Sequence, residues 1–169
     1  MGVIPGIEFN TFSITGRCSR TGMLGIAITT SDITVGSRCP YVKSSVGAVA
    51  TQASTDPGLG PFALNLLQLG YSASGALQQL EASDPHIERR QLAIVDHNGN
   101  AAARTGAMNN QWAGHITGKG HVTMGNGLVG EGVVKEMAEV FMHTPDLDLE
   151  ERLLKSLEAG QNAGGEVQD

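Results

Sequence analysis

In the first half of the chain, apolar and polar positions alternate in short runs broken by glycine. Phe9 to Thr15 alternates and is rich in β-branched residues, Ser19 to Gly22 supplies a turn, and Met23 to Thr30 is a nearly continuous apolar run. Two such runs joined by a turn predict a hairpin with at least one buried face. Val46 to Gln52 is a third strand, and its small residues Gly47 and Ala48 predict a close approach of another backbone or sheet.

The period then changes. Gly60-Pro61 with Gly70 downstream places proline near a helix start and glycine just past its end, which predicts a short helix over Phe62 to Leu69. Ser72 caps a second helix, with Ala73, Ala76, Leu77 and Leu80 on one face. Strand period returns over Arg90 to Asp96, and His97-Asn98-Gly99-Asn100 is a strong hairpin-turn signal leading into Ala101 to Thr105. Gln111 to Ile116 and His121 to Met124 read as further short strands. Val133, Val134, Met137, Val140 and Phe141 fall at helical spacing within Gly130 to Thr144, and Leu149, Leu153, Leu154 and Leu157 mark a last helix. From Gly160 the periodicity is lost and a loop is expected over the remaining residues, 161–169. Strand blocks and helix blocks that alternate without βαβ crossovers predict an α+β fold of antiparallel sheets, and a four-layer αββα sandwich uses every element. At 169 residues the chain makes one domain, expected over 11–160 with residues 1–10 as an N-terminal extension.

Composition narrows the function. Glycine, at 23 of 169, is about twice its usual share, and charged residues make up only 17%. The net charge of −6 speaks against a nucleic-acid partner. Its acids concentrate after Gly130, as expected of solvated helix faces. No apolar run reaches the length of a membrane span, and the start lacks the basic and apolar regions of a secretory signal, so a cytoplasmic location is expected. Cys18 and Cys39 are too few for a disulfide framework and read as reduced thiols. The five histidines show no metal-ligand spacing, and Gly118 to Gly127 lacks the ending of a phosphate loop, so neither a metal nor an organic cofactor is expected.

Between Thr21 and Leu80 the chain carries four charges, Asp32, Arg38, Lys43 and Asp56. A charge in so apolar a stretch is costly unless paired or used. Arg38 and Lys43 could hold a carboxylate or stabilise an oxyanion, or serve as ordinary surface charges. Cys39 follows Arg38, a cation that favours the thiolate; it reads either as a nucleophile or as a small buried hydrophobe. Gln52 and Asp56 flank a strand end, where they either line a pocket or cap the loop into the next helix. Asn126, between two glycines, either takes a turn conformation or offers its amide to a ligand. Thr11 opens the first strand and has a plain structural reading; as a nucleophile it would need a base, which its own α-amine supplies once the preceding residues are removed.

Seven motifs in order carry a family resemblance. TFSITGR at Thr11, GMLGIAITTS at Gly22, VGAVATQ at Val46, TDPGLGP at Thr55, RRQLAIVDHNG at Arg89, WAGHITGKG at Trp112, and MGNGLVG at Met124 followed by VVKEMAEVF together resemble the domain of unknown function 1028 family, from Thr11 to about Gly165. That family is placed among N-terminal-nucleophile hydrolase folds. The resemblance therefore implies the αββα sandwich and hydrolysis of an amide bond, with Thr11 at the nucleophile's place and Asn126 among the oxyanion donors; it does not name the substrate, which we read as a small polar amide or ureido compound cleaved at a C–N bond. The Arg38-Cys39 pair is similar to that of a family subgroup and offers a second nucleophile that needs no processing. On this reading Arg38 would hold a substrate carboxylate, Lys43, Gln52, Asp56 and Asn126 would bind substrate, and Thr11 and Cys39 would meet in one hollow. The family pattern continues past the AGGE stretch at 163–166 into another strand, so a second chain from cleavage is an expected source of it. A non-catalytic ligand-binding protein is the alternative. The small-residue strands and sparsely charged surface between Thr21 and Leu80 predict an interface for a homo-oligomer.

Overall fold

A computed structural model of the chain describes residues 10–31 and 33–167. Asp32, and all of the N-terminal extension but Asn10, lie outside the described residues. The first hairpin forms as expected from β1 (Thr11–Arg17) and β2 (Leu24–Thr30). A short helix α1 (Val35–Arg38) and a four-residue strand β3 (Pro40–Lys43) follow, then β4 (Gly47–Ala53). Helix α2 (Leu59–Gln68) starts earlier than its pattern, so Pro61 sits in the first turn, where a missing N–H costs nothing. In α3 (Ala73–Ser83) the Ser72 hydroxyl accepts from the Gly75 amide at 3.1 Å, the cap its sequence predicts.

Strands β5 (Arg90–Asp96) and β6 (Ala101–Thr105) flank the expected turn. Asp96 closes that turn: its Oδ1 accepts from the Asn98 and Asn100 amides at 2.9 Å each, and Gly99 takes φ +83°. Strand β7 (Gly114–Gly118) begins three residues later than its pattern, and β8 (His121–Asn126) extends two residues further. Helices α4 (Gly132–His143) and α5 (Leu149–Asn162) close the order. Beyond α5 the chain is not a free loop, because Glu166 bridges Leu128 and the Val167 amide donates to the Gly127 carbonyl at 2.8 Å.

The strands make two antiparallel four-stranded sheets, in the orders β2-β1-β8-β7 and β3-β4-β5-β6. The mixed α+β class is as expected. Alternation along each strand divides the apolar residues into three cores. Phe12 and Ile14 of β1 pack with Val134, Met137 and Phe141 of α4 and Leu153 of α5. Val49, Leu92 and Ile94 pack with Leu59, Ala63 and Leu67 of α2 and Leu77 and Leu80 of α3. Ala50, Ala93 and Val95 of one sheet meet Val122 and Met124 of the other. Each large side chain so buried contributes roughly 1.5–3 kcal/mol. Helix α5 comes close to the first sheet because Gly16 leaves room there: a Cβ on it would stand 2.9 Å from Phe141 Cζ and 3.0 Å from Leu153 Cδ2.

The inter-sheet layer changes character along its length. Toward one end the inward positions become polar, namely Thr11 and Ser13 on β1, Asn126 on β8, Gln52 on β4 and Gln91 on β5. Period-2 geometry puts Asn126, Gln52 and Gln91 on the same side of their strands as Met124, Ala50 and Ala93 of the inter-sheet core, while on β1 Thr11, Ser13 and Thr15 all take that side.

Candidate active site at the polar end of the sheets

Thr11 heads β1 with only 4% of its surface exposed, and in register it faces Thr30 on one side and Asn126 on the other. Its Oγ1 lies 2.9 Å from Thr30 Oγ1. The Thr30 hydroxyl in turn donates to the carbonyl oxygen of Asn10 at 2.9 Å, so the proton between the two hydroxyls is supplied by Thr11. The Ser31 amide also donates to the Asn10 carbonyl, at 3.3 Å. Two donors thus converge on the carbonyl immediately ahead of Thr11.

Behind Thr11 a chain of amides crosses the sheet interface. Ser13 Oγ donates to Gln52 Oε1 at 2.7 Å, and Gln52 Nε2 donates to Gln91 Oε1 at 2.7 Å. Gln91 Oε1 also accepts from Asn126 Nδ2 at 3.2 Å. Gln91 Nε2 donates to the Gly125 carbonyl at 2.6 Å and reaches the Gly114 carbonyl and Thr105 Oγ1 at 3.1 Å each. Because carbonyl oxygens only accept, these contacts fix which end of the Gln91 amide is nitrogen. They fix Asn126 as well, whose Nδ2 points at Gln91 and whose Oδ1 is buried without a hydrogen-bond partner. An unsatisfied buried acceptor costs roughly 1–3 kcal/mol, which a donor arriving beside Thr11 would recover.

Of the residues picked out by sequence, Thr11, Gln52 and Asn126 come together here. The other four stand elsewhere. Cys39 lies opposite Thr51, one residue beyond the β3–β4 register, and its carbonyl accepts from the Thr51 amide at 3.0 Å. Thr51 shares the face of Val49, which packs on α2 and α3, whereas Gln52 points to the other sheet. Thr11 and Cys39 therefore do not share the expected hollow, since the second sheet stands between them. Burial pushes the Cys39 thiol up, outweighing the Arg38 charge and a hydrogen bond with Thr55 that pull it down.

Arg38 ends α1 on the Cys39 side, and its carbonyl accepts from the Tyr41 hydroxyl at 3.1 Å. Lys43 is at the far end of β4 from Gln52, opposite Gly47, and is bound to Gln68 Oε1 at 2.6 Å. Asp56 Oδ1 accepts from the Gly58 amide at 2.8 Å, a turn that leads into α2. Sequence reasoning passed over Ser13, Thr30 and Gln91. The available signal was a polar residue at an inward position of an otherwise apolar strand, but which face is inward emerges only from strand pairing.

Among the described residues no group of three or more His, Cys, Asp or Glu is placed to share a metal ion, and no helix is long and apolar enough to cross a membrane. No curated protein matches the chain. It is similar in structure to protein SPO2555 from Silicibacter pomeroyi, whose crystal structure is described with the family model DUF1028. The TM-score is 0.87 at 34% identity, over 92% of this chain and 72% of that one. The model of the family of unknown function DUF1028 matches residues 11–169, so the chain belongs to that family.

Proposed function

We propose that the helices and sheets form the four-layer αββα sandwich of the N-terminal-nucleophile hydrolases, and that the chain is an amidohydrolase with Thr11 as nucleophile. The observation that carries this reading is the treatment of the Asn10–Thr11 peptide. Its carbonyl oxygen accepts from Thr30 Oγ1 and the Ser31 amide, while the Thr11 hydroxyl is bound to that same Thr30. Donors aimed at a carbonyl stabilise the charge it gains under attack.

Release of the nucleophile follows from that arrangement. Thr11 Oγ1 adds to the Asn10 carbonyl carbon, and the C–N bond breaks as the proton passes to the departing nitrogen. The resulting ester takes up water to give the Asn10 carboxylate and a free Thr11 amine. The amine then acts as the general base for Thr11 Oγ1 toward an external amide. Asn126 Oδ1, across the register from Thr11 and unpartnered, is available to accept from that amine and hold its lone pair toward the hydroxyl. Gln91 and Gln52 hold Asn126 in place. Cys39, on the far face of the second sheet with a thiol stabilised in its protonated form, has no part in this reading.

Intact mass spectrometry and two substitutions test it. Cleavage between Asn10 and Thr11 is expected in the wild-type protein and in Cys39→Ala, together with hydrolysis of simple amides; Thr11→Ala is expected to lose both. Amide hydrolysis that survives in folded Thr11→Ala would end the proposal.

A further inference from the structure

The amide chain does not stop at Gln91. It runs on through Thr105 to His115, which lines a cavity of about 430 Å³ between the end of β6, the loop 106–113 and the start of β7. The proposed chemistry makes no use of this cavity. Cavities of 300–1,000 Å³ are the usual size of small-ligand sites.

Its lining carries no charged side chain, and its polar atoms are oriented by the protein. Thr105 Oγ1 accepts from Gln91 Nε2, so its own hydrogen is left for His115 Nδ1, 2.9 Å away. In the tautomer that accepts this hydrogen, the imidazole carries its own on Nε2 and serves as a donor. Loss of water around the ring lowers its pKa from the ordinary value, which keeps it neutral at pH 7 although the residue reaches the surface. Asn109 stands beside it in the lining. Its Nδ2 is taken by the carbonyls of Gly106 at 2.7 Å and Arg90 at 3.2 Å, and its Oδ1 is buried with no partner. His115 in that tautomer thus offers a donor, and Gln111 adds an exposed amide that can donate or accept.

A carboxylate fits this lining poorly, because it finds no cation to offset the loss of its water. A carboxamide or ureido group fits, since its carbonyl accepts and its N–H donates. We propose that the cavity is a binding pocket for a neutral carboxamide or ureido group of the substrate, held away from the bond that is cut. Strand spacing of about 4.8 Å places β7 two strands and about 10 Å from β1, a distance within the length of one small substrate. The role as a substrate pocket rests on the hydrolase reading; the recognition chemistry does not.

Equilibrium binding separates the two. Acetyl-glycyl-glycinamide and its free acid, acetylglycylglycine, are titrated into the protein at pH 7.5, with the His115 ring resonances followed by NMR. The amide is expected to bind at least about ten-fold more tightly than the acid and to shift the His115 signals. His115→Ala, at an exposed edge-strand position compatible with folding, is expected to weaken the amide about ten-fold, and His115→Gln to recover part of the loss by restoring a donor. Equal affinity for the two probes, no binding of either, or unchanged affinity in His115→Ala would overturn the assignment. Turnover of the bound amide is scored separately: selective binding without turnover supports the pocket and counts against Thr11 as nucleophile.

Discussion

Replacing Gln91 by leucine removes the centre of the amide chain while nearly conserving volume, so the effect isolates hydrogen bonding from cavity formation. Gln91 is fully buried. The substitution strands two buried donors, Gln52 Nε2 and Asn126 Nδ2, which both point at Gln91 Oε1. It also removes the donor to the Gly125 and Gly114 carbonyls and to Thr105. Thr105 borders the cavity and can be rehydrated, so it adds little. Two stranded donors at roughly 1–3 kcal/mol each give an expected loss of about 4 kcal/mol. With a urea slope near 2 kcal/mol per molar, the midpoint should fall by about 2 M with the slope unchanged. Equilibrium urea unfolding followed by circular dichroism reads both quantities. A loss below about 1 kcal/mol, typical of a surface substitution, would refute the account of the chain as a necessary network.

Two further predictions concern carboxylates. Asp84 is bound by Arg90 Nε at 2.8 Å, both side chains being largely buried. Burial alone would raise the Asp84 carboxyl, but hydrogen bonds from Arg90 and the His86 amide, with the guanidinium charge, hold it below the usual range. Its contribution is therefore complete above the unfolded value of about 3.9 and is lost as pH falls through the lower folded value. Asp84→Asn should cost roughly 2–4 kcal/mol at pH 7 and show a weaker acid dependence of the thermal midpoint; equal midpoints at neutral pH would contradict the pairing. Glu166 behaves in the opposite sense. Burial pushes its carboxyl up to about 7, with Oε1 unpartnered, so its contribution is present below the unfolded value of about 4.3 and is lost as pH rises through about 7. Glu166→Gln should be more stable than the wild type at pH 8, and the two should converge near pH 4 in urea titrations; a variant no more stable at pH 8 would show that the carboxyl is well solvated.

Elements built from local pattern were legible in the residues. The hairpin turn after Asp96, the Ser72 cap and the amphipathic helices α4 and α5 need only neighbours a few positions away, and each lies close to where its pattern predicts it. Helix α1 and strand β3 escaped notice because four residues hold too little period to register, and β3 is fixed by its pairing with β4. The seven motifs in order gave the family as well, and with it the interest in Thr11.

What only the tertiary structure decided is which residues share a face. Gln52 and Thr51 are adjacent in sequence and point to opposite sides of one sheet, so a shift of one position separates a partner of Ser13 from a neighbour of Cys39. Gln91 reads as an ordinary strand residue until pairing brings it to Gln52, 39 positions away, and to Asn126, 35 positions away. Sequence by itself determined the local elements and their chemistry, because φ/ψ preference and amphipathic period act over a few residues. The tertiary structure alone decided the site, because a hydrogen bond acts over about 3 Å of space and strand register, set by distant pairing, determines which side chains reach that range.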